Sequence, residues 1–184
     1  ISSFVGLGAG SLNAYRVLRP PKMYGMFLSH HKGGAAVLAR FMKERLRSRV
    51  SCKIFLDSDE LDNLDLIFSI VAEETKNFVL ILTAETFCRM WCAGEIVSAV
   101  RHKIPIVVVT TETYKPPTEE WLEALDKLWT PQQLATLASY GILLEERAAA
   151  AGSLVHVALH PGSTYPFPTP QNPFLESTLT LPLG

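Results

Sequence analysis

The stretch Asn77-Phe78-Val79-Leu80-Ile81-Leu82-Thr83 decides the fold class, because Phe78 to Leu82 are apolar without interruption. A strand with one solvent-facing side alternates apolar and polar residues, whereas a strand inside a parallel sheet is covered on both faces. The run is also far shorter than the roughly 20 residues that a membrane-spanning helix needs. We therefore predict a central parallel strand with helices packed on both of its faces.

Further strand-type runs lie on both sides of this stretch and alternate with segments of helical spacing. The predicted strands are Tyr24 to Leu28, Lys53 to Leu56, Asn77 to Thr83 and Ile104 to Val109. The predicted helices cover residues 35–47, Leu64 to Thr75 and 86–101. Four alternations of this kind predict an α/β fold, a doubly wound parallel sheet of four to five strands flanked by helices.

The chain divides into three parts by composition. We predict a linker over residues 1–23, a domain over 24–160 that is most clearly patterned over 24–110, and an extended proline-rich tail over 161–184. The less patterned part, 111–160, contains predicted helices at Glu119 to Leu128, Pro131 to Tyr140 and Leu143 to Ala151. A fifth strand is predicted at either Gly141 to Leu144 or Val155 to Leu159.

Charge and cysteine content exclude several classes of protein. With 17 Lys and Arg against 18 Asp and Glu, the chain has no bulk attraction for nucleic acid or for an anionic membrane. Three cysteines do not make a disulfide framework, and Cys88 and Cys92 lack the further ligands of a zinc site. We therefore predict a cytoplasmic protein without a bound metal, a nucleic-acid partner or a membrane segment.

The glycine-rich segment Gly6-Leu7-Gly8-Ala9-Gly10 is similar in composition to a dinucleotide-binding loop. Such a loop needs a glycine or alanine at its sixth position and a carboxylate at the end of the next strand. Ser11 occupies the sixth position, and Ser29-His30 follows the strand instead of an acidic residue. We interpret the segment as flexible linker, so no bound cofactor is expected.

Four motifs in order along the chain carry a resemblance to a known family. They are Met26-Phe27-Leu28-Ser29-His30-His31, Lys53-Ile54-Phe55-Leu56-Asp57, Asn77 to Thr83, and Trp91-Cys92-Ala93-Gly94-Glu95-Ile96. The first three resemble the strand motifs of TIR (Toll/interleukin-1 receptor) domains, and the last resembles the Trp-Cys-x-x-Glu motif of NAD-cleaving TIR domains. The resemblance implies a flavodoxin-like sheet, signalling by self-association and, as in some members, cleavage of NAD+.

The resemblance also implies where the site lies and which residues form it. In a flavodoxin-like sheet the ligand crevice lies beyond the carboxyl ends of the first and third strands. Glu95 is the implied catalytic residue, and NAD+ is the substrate rather than a cofactor. The implied substrate-binding residues are Ser29, His30, His31, Lys32, Asp57, Leu61, Trp91 and Cys92. Without the resemblance, a Trp and a Glu at helical spacing are more often a packing residue and a solvated charge.

Three functions remain to be compared. The first is an NAD+ glycohydrolase, the second is a non-enzymatic TIR adaptor, and the third is a phosphoacceptor receiver domain. A receiver needs an acidic pocket after the first and third strands, where this chain has Ser29-His30 and Thr83-Ala84.

Self-association into a homo-oligomer or filament is expected from opposite charges on two segments, namely Arg40, Lys43, Arg45, Arg47 and Arg49 against Asp57, Asp59, Glu60, Asp62 and Asp65.

Overall fold

The computed structural model of the chain describes residues 21–56, 66–118, 120–121, 124–143, 146 and 150–151. Within these ranges the chain forms a four-stranded parallel sheet in the order β2-β1-β3-β4. The strands are β1 (Tyr24–His30), β2 (Lys53–Phe55), β3 (Thr75–Leu82) and β4 (Ile106–Thr110). The sheet confirms the α/β fold class, and β3 lies between β1 and β4 as its uninterrupted apolar run predicts.

The helices lie on both faces of this sheet. They are α1 (Lys32–Arg47), α2 (Ile67–Ser69, continued by a π-helical turn over Ile70–Glu74), α3 (Met90–Arg101) and α4 (Pro131–Ser139). Short 3-10 turns occur at Thr86–Cys88 and Leu125–Leu128. Helix α4 begins with a capping box, in which Thr130 and Gln133 bind each other's backbone amides, as expected for a threonine followed by proline.

Two hydrophobic cores result from the alternation of side chains along the strands. Phe27, Phe55 and Phe78 stack across three strands on the face that α2, α3 and α4 cover, with ring centroids 4.9 and 5.4 Å apart. Leu28 and Val79 point to the opposite face and pack with residues of α1. The sheet is therefore doubly wound.

Helix α1 buries a residue that the sequence placed on an exposed basic surface. Ala35, Ala39 and Lys43 are four residues apart, so they share one helical face, and that face packs on the sheet. Lys43 is only 7% exposed, whereas Arg40, Arg45 and Arg47 are exposed. The expectation that Lys43 contributes to an exposed charged patch is wrong.

Several predicted element bounds need correction. Strand β1 continues through Ser29 and His30, which the sequence assigned to a loop. The helix predicted up to Thr75 ends in a π-helical turn at Glu74, because Thr75 pairs with Tyr24 as the first residue of β3. Gly141 lies in a turn, and residues 142–143 have irregular backbone instead of forming a fifth strand. Residues 152–160, which include the alternative position of that strand, lie outside the described residues.

The helix predicted over residues 86–101 is also interrupted. The Thr86 hydroxyl accepts from the backbone amide of Thr83 at 2.8 Å and donates to the Ile81 carbonyl at 3.2 Å. These bonds hold a separate turn, and Arg89 adopts extended backbone before α3 starts at Met90. A threonine side chain thus competes with helical hydrogen bonding, as short hydroxyl side chains commonly do. None of the helices in the described part of the chain is long and apolar enough to cross a membrane.

Candidate functional site

A buried hydrogen bond joins the carboxyl end of β1 to α3. The Ser29 hydroxyl donates to Oε2 of Glu95 over 2.5 Å, and the two residues are 1% and 4% exposed. They are 66 residues apart in the chain, and the topology brings them together because Ser29 points to the sheet face that α3 covers. Burying a carboxylate costs free energy unless hydrogen bonds compensate it, so the burial of Glu95 at this strand end needs an explanation.

A second contact fixes α3 at the same strand end. The Cys92 thiol donates to the backbone carbonyl of His30 over 3.4 Å, and Cys92 is buried. Strand alternation directs the His30 side chain away from Ser29 and toward the face that α1 covers, where it is 5% exposed. Of these two predicted substrate-binding residues, Cys92 lies beside Glu95 on α3, and His30 belongs to the other face of the sheet.

The turn after β1 brings the start of α1 against β3. His31 is the N-terminal cap residue of α1, and its carbonyl accepts from the amides of Gly34 and Ala35 at 3.1 and 2.8 Å. A side chain on Gly34 would begin 3.1 Å from the His31 ring and 3.2 Å from Thr83. A side chain at this position would therefore push the His31 ring or Thr83 away by a few tenths of an ångström. Lys32, another predicted substrate-binding residue, is the exposed first residue of α1.

Two charged residues that the sequence interpretation missed lie beside His31. One Glu85 oxygen, Oε2, is 3.7 Å from Nε2 of His31 and 2.5 Å from a guanidinium nitrogen of Arg89. Burial and the nearby Arg89 lower the pKa of His31, against the opposing effect of Glu85, so its imidazole is neutral at neutral pH. The signal in the sequence is the four-residue spacing of Glu85 and Arg89 directly after a strand end.

Trp91 contacts aromatic side chains from two other helical segments. Its ring centroid is 5.6 Å from that of Phe68 and 6.1 Å from that of Tyr140, and the indole is half-buried. Trp91 and Glu95 are about 40° apart around α3, which makes them neighbours on the helix surface. Trp91 and Glu95 thus leave α3 in similar directions, and part of the indole is accessible.

The predicted site residues are brought together in part. Ser29, Cys92 and Glu95 form one buried group, whereas His31, Lys32 and Trp91 follow the same strand or share the same helix and are more exposed. Asp57 and Leu61 lie outside the described residues, and their roles stay predictions. Among the described residues, no group of three or more His, Cys, Asp or Glu side chains is arranged as a metal site.

Comparisons with known proteins found structural but not sequence matches. No protein-family model and no curated protein matches the chain. The structure is similar to a metazoan TIR-STING receptor from C. gigas, with 19% identity, 72% of this chain and 41% of the receptor chain covered, and a TM-score of 0.44. It is also similar to the TIR domains of the activated Roq1 resistosome, with 15% identity, 73% and 84% coverage, and a TM-score of 0.48.

The sheet itself tests the fold that the four sequence motifs imply. The strand order β2-β1-β3-β4 is the flavodoxin-like order, and three of the motifs fall on β1, β2 and β3. The fourth motif falls on α3, directly after the connection from β3, and its glutamate reaches the carboxyl end of β1. The chain has a flavodoxin-like α/β fold, which is the fold that its resemblance to TIR domains implies.

Proposed function

We propose that this chain is an NAD+ glycohydrolase that cleaves the bond between nicotinamide and ribose. One observation carries the proposal: a buried glutamate, Glu95, is held by Ser29 at the carboxyl end of β1. That end of an open parallel sheet is where such folds bind ligands. Buried ionisable groups at these positions are also common in active sites. The Trp-Cys-x-x-Glu resemblance supports the same chemistry.

The proposed reaction needs a single carboxylate. In NAD+ the leaving group is a cationic pyridinium, so the C–N bond breaks with its electron pair going to neutral nicotinamide, and no general acid is needed. The ribose is left as an oxocarbenium ion, which the Glu95 carboxylate stabilises electrostatically in the transition state. Water then bonds to the ribose carbon and loses a proton to give ADP-ribose, or the adenine ring attacks to give a cyclic product. Ser29 orients the carboxylate for this role.

Nicotinamide release tests this function directly. We expect the purified 184-residue chain, incubated with NAD+, to form nicotinamide and one ADP-ribose or cyclic ADP-ribose for each NAD+ lost, as measured by chromatography. NADH is a suitable negative control, because its dihydronicotinamide is not a cationic leaving group. Consumption of NAD+ without nicotinamide, or equal cleavage of NADH, would contradict the proposed chemistry.

Trp91 is expected to affect substrate binding as well as packing. If its accessible part contacts the ribose or nicotinamide, Trp91→Ala raises the KM for NAD+ and lowers kcat, whereas Trp91→Phe retains part of both. Tyr140→Phe is the matched control, since it keeps the ring that packs against Phe68 and Trp91. Steady-state kinetics and thermal melting separate the two roles. If Trp91→Ala lowers the melting temperature without changing the kinetics of the folded protein, Trp91 is a packing residue only.

An adaptor that acts by self-association is the second candidate function. The observation that favours it is an exposed apolar pair on α1, in which Val37 is 86% and Phe41 50% exposed. The guanidinium of Arg45 lies 5.8 Å from the Phe41 ring centroid, so this surface combines apolar and positive groups. Such a surface suits contact with an acidic segment of a second copy, and the segment 57–65 has that charge.

Concentration dependence tests the assembly. We expect NAD+ cleavage to rise more steeply than linearly with protein concentration and to weaken with added salt, because salt screens exposed charges. Reversing Arg45 and Arg47 to Glu should dissociate the assembly in light scattering, and Lys103→Glu, on a different surface, should not. A monomer at every concentration, with constant specific activity, would refute assembly and leave the chemistry at Glu95 unaffected.

A further inference from the structure

We infer that Arg89 binds the diphosphate of the substrate and that Glu85 competes with this diphosphate for the same guanidinium. The inference rests on the proposed function for the identity of the substrate. It adds two residues that set affinity for the anionic half of the substrate, separate from the Ser29–Glu95 pair that acts on the ribose. Arg89 is a binding residue in this assignment, and Glu85 acts through it.

Arg89 and Glu95 lie at opposite ends of a segment long enough to hold part of the substrate. Arg89 is the residue just before α3, and Glu95 lies about 9 Å farther along the helix axis at 1.5 Å per residue. This separation between the two backbone positions is comparable to the span of one ribose and its 5′-diphosphate. His31, which shares the Glu85 oxygen with Arg89, follows Ser29 by two residues at the end of β1. The charged group therefore borders the carboxyl ends of both β1 and β3.

The charge and the exposure of Arg89 suit an anionic ligand. The Arg89 and Glu85 side chains are 52% and 56% exposed, so a ligand can reach the guanidinium. An ion pair this exposed contributes little to stability and is exchanged readily for a stronger partner. Arginine matches the geometry of phosphate with parallel hydrogen bonds, and a diphosphate carries more charge than one carboxylate. Because the pKa of His31 is lowered, Glu85 has no cationic partner in that imidazole at neutral pH and remains with Arg89.

Competition predicts opposite effects of two substitutions. Glu85→Gln removes the competing carboxylate, so we expect the KM for NAD+ and the Kd for ADP-ribose to fall about threefold. Arg89→Gln removes the phosphate-binding group, so both constants should rise about tenfold or more. In each variant kcat should change less than twofold, since neither residue contacts the ribose carbon. Calorimetric titration with ADP-ribose measures binding independently of cleavage.

A double variant and a matched control make the test sharper. If Glu85 acts through Arg89, then Glu85→Gln has no effect on affinity in a protein that already carries Arg89→Gln. Glu44→Gln breaks a comparable exposed pair with Arg47 on α1 and should leave both constants unchanged. If Glu85→Gln still tightens binding in the Arg89→Gln background, simple repulsion replaces competition and the inference is overturned.

The outcomes also separate this inference from the proposed function. Cleavage of NAD+ with constants that neither substitution changes would overturn the inference and leave the glycohydrolase intact. Binding of ADP-ribose that follows the expected pattern without any cleavage would support the diphosphate site and contradict the enzyme. If the variants alter only the melting temperature, Glu85 and Arg89 form a structural ion pair and the inference fails.

Discussion

Glu95→Gln is expected to reduce kcat for NAD+ cleavage about a hundredfold or more, because it removes the charge that stabilises the oxocarbenium ion. The amide is close to the carboxylate in size, and its oxygen can still accept the hydrogen bond from Ser29. A neutral group is also less costly to bury than a carboxylate at a site that is only 4% exposed. The variant should therefore melt at or above the temperature of the unmodified protein.

Measured together, turnover and stability distinguish a catalytic Glu95 from a structural one. Nicotinamide release at saturating NAD+ gives kcat, and circular dichroism follows thermal unfolding. Ser98→Ala is the matched control on the same helix, because the Ser98 hydroxyl bonds the Phe68 carbonyl at 2.9 Å away from the reacting atoms. It should lower stability and leave kcat nearly unchanged. A folded Glu95→Gln protein that keeps full turnover would exclude the glycohydrolase mechanism.

Much of the fold follows from short-range patterns in the sequence. The uninterrupted run Phe78 to Leu82 indicates a covered parallel strand, and Thr130 followed by Pro131 indicates where α4 begins. Helix and strand ends that depend on a single side-chain hydrogen bond cannot be predicted from such patterns. Thr86 interrupts a segment of helical spacing because its hydroxyl bonds Thr83 and Ile81, and spacing alone contains no sign of that competition.

The family motifs supplied the candidate site residues, whereas contacts that depend on the arrangement of the strands were not visible in the sequence. The contact between Ser29 and Glu95 spans 66 residues, so it follows from the strand order and not from any local pattern. Glu85 and Arg89 look like an ordinary surface pair in the sequence, and their meeting with His31 becomes evident only when the ends of β1 and β3 are adjacent. His30 illustrates the reverse case, because strand continuation to residue 30 directs its side chain to the other face.

Gly94 lies within α3, directly before Glu95. Glycine inside a helix costs about 1 kcal/mol relative to alanine, so a structural reason is needed for it in α3. A side chain at this position would begin 2.3 Å from Cζ of Phe68 and 3.2 Å from Leu137. The Phe68 ring also contacts Trp91 and Tyr140, which restricts its movement away from α3.

Gly94→Val should therefore overpack this interface and lower the free energy of unfolding by about 3 kcal/mol, at the upper end for inserted methyl groups. For a domain of this size that corresponds to a melting temperature lower by roughly 10 °C. Ala36→Val, at an exposed position of α1, is the control and should cost only a few tenths of a kcal/mol through helix propensity.

The contact with Phe68 can be isolated by a double-mutant cycle. Phe68→Leu removes the ring end that Gly94→Val would overlap, so the double variant should be more stable than the sum of the two single effects implies. Because the same ring contact sets how closely α3 approaches α2, the double variant should also regain NAD+ cleavage that Gly94→Val loses at temperatures where both are folded. Additive losses in the cycle would show that Gly94 is not required by Phe68, and wild-type stability of Gly94→Val would exclude close packing of α3 against Phe68 and Leu137.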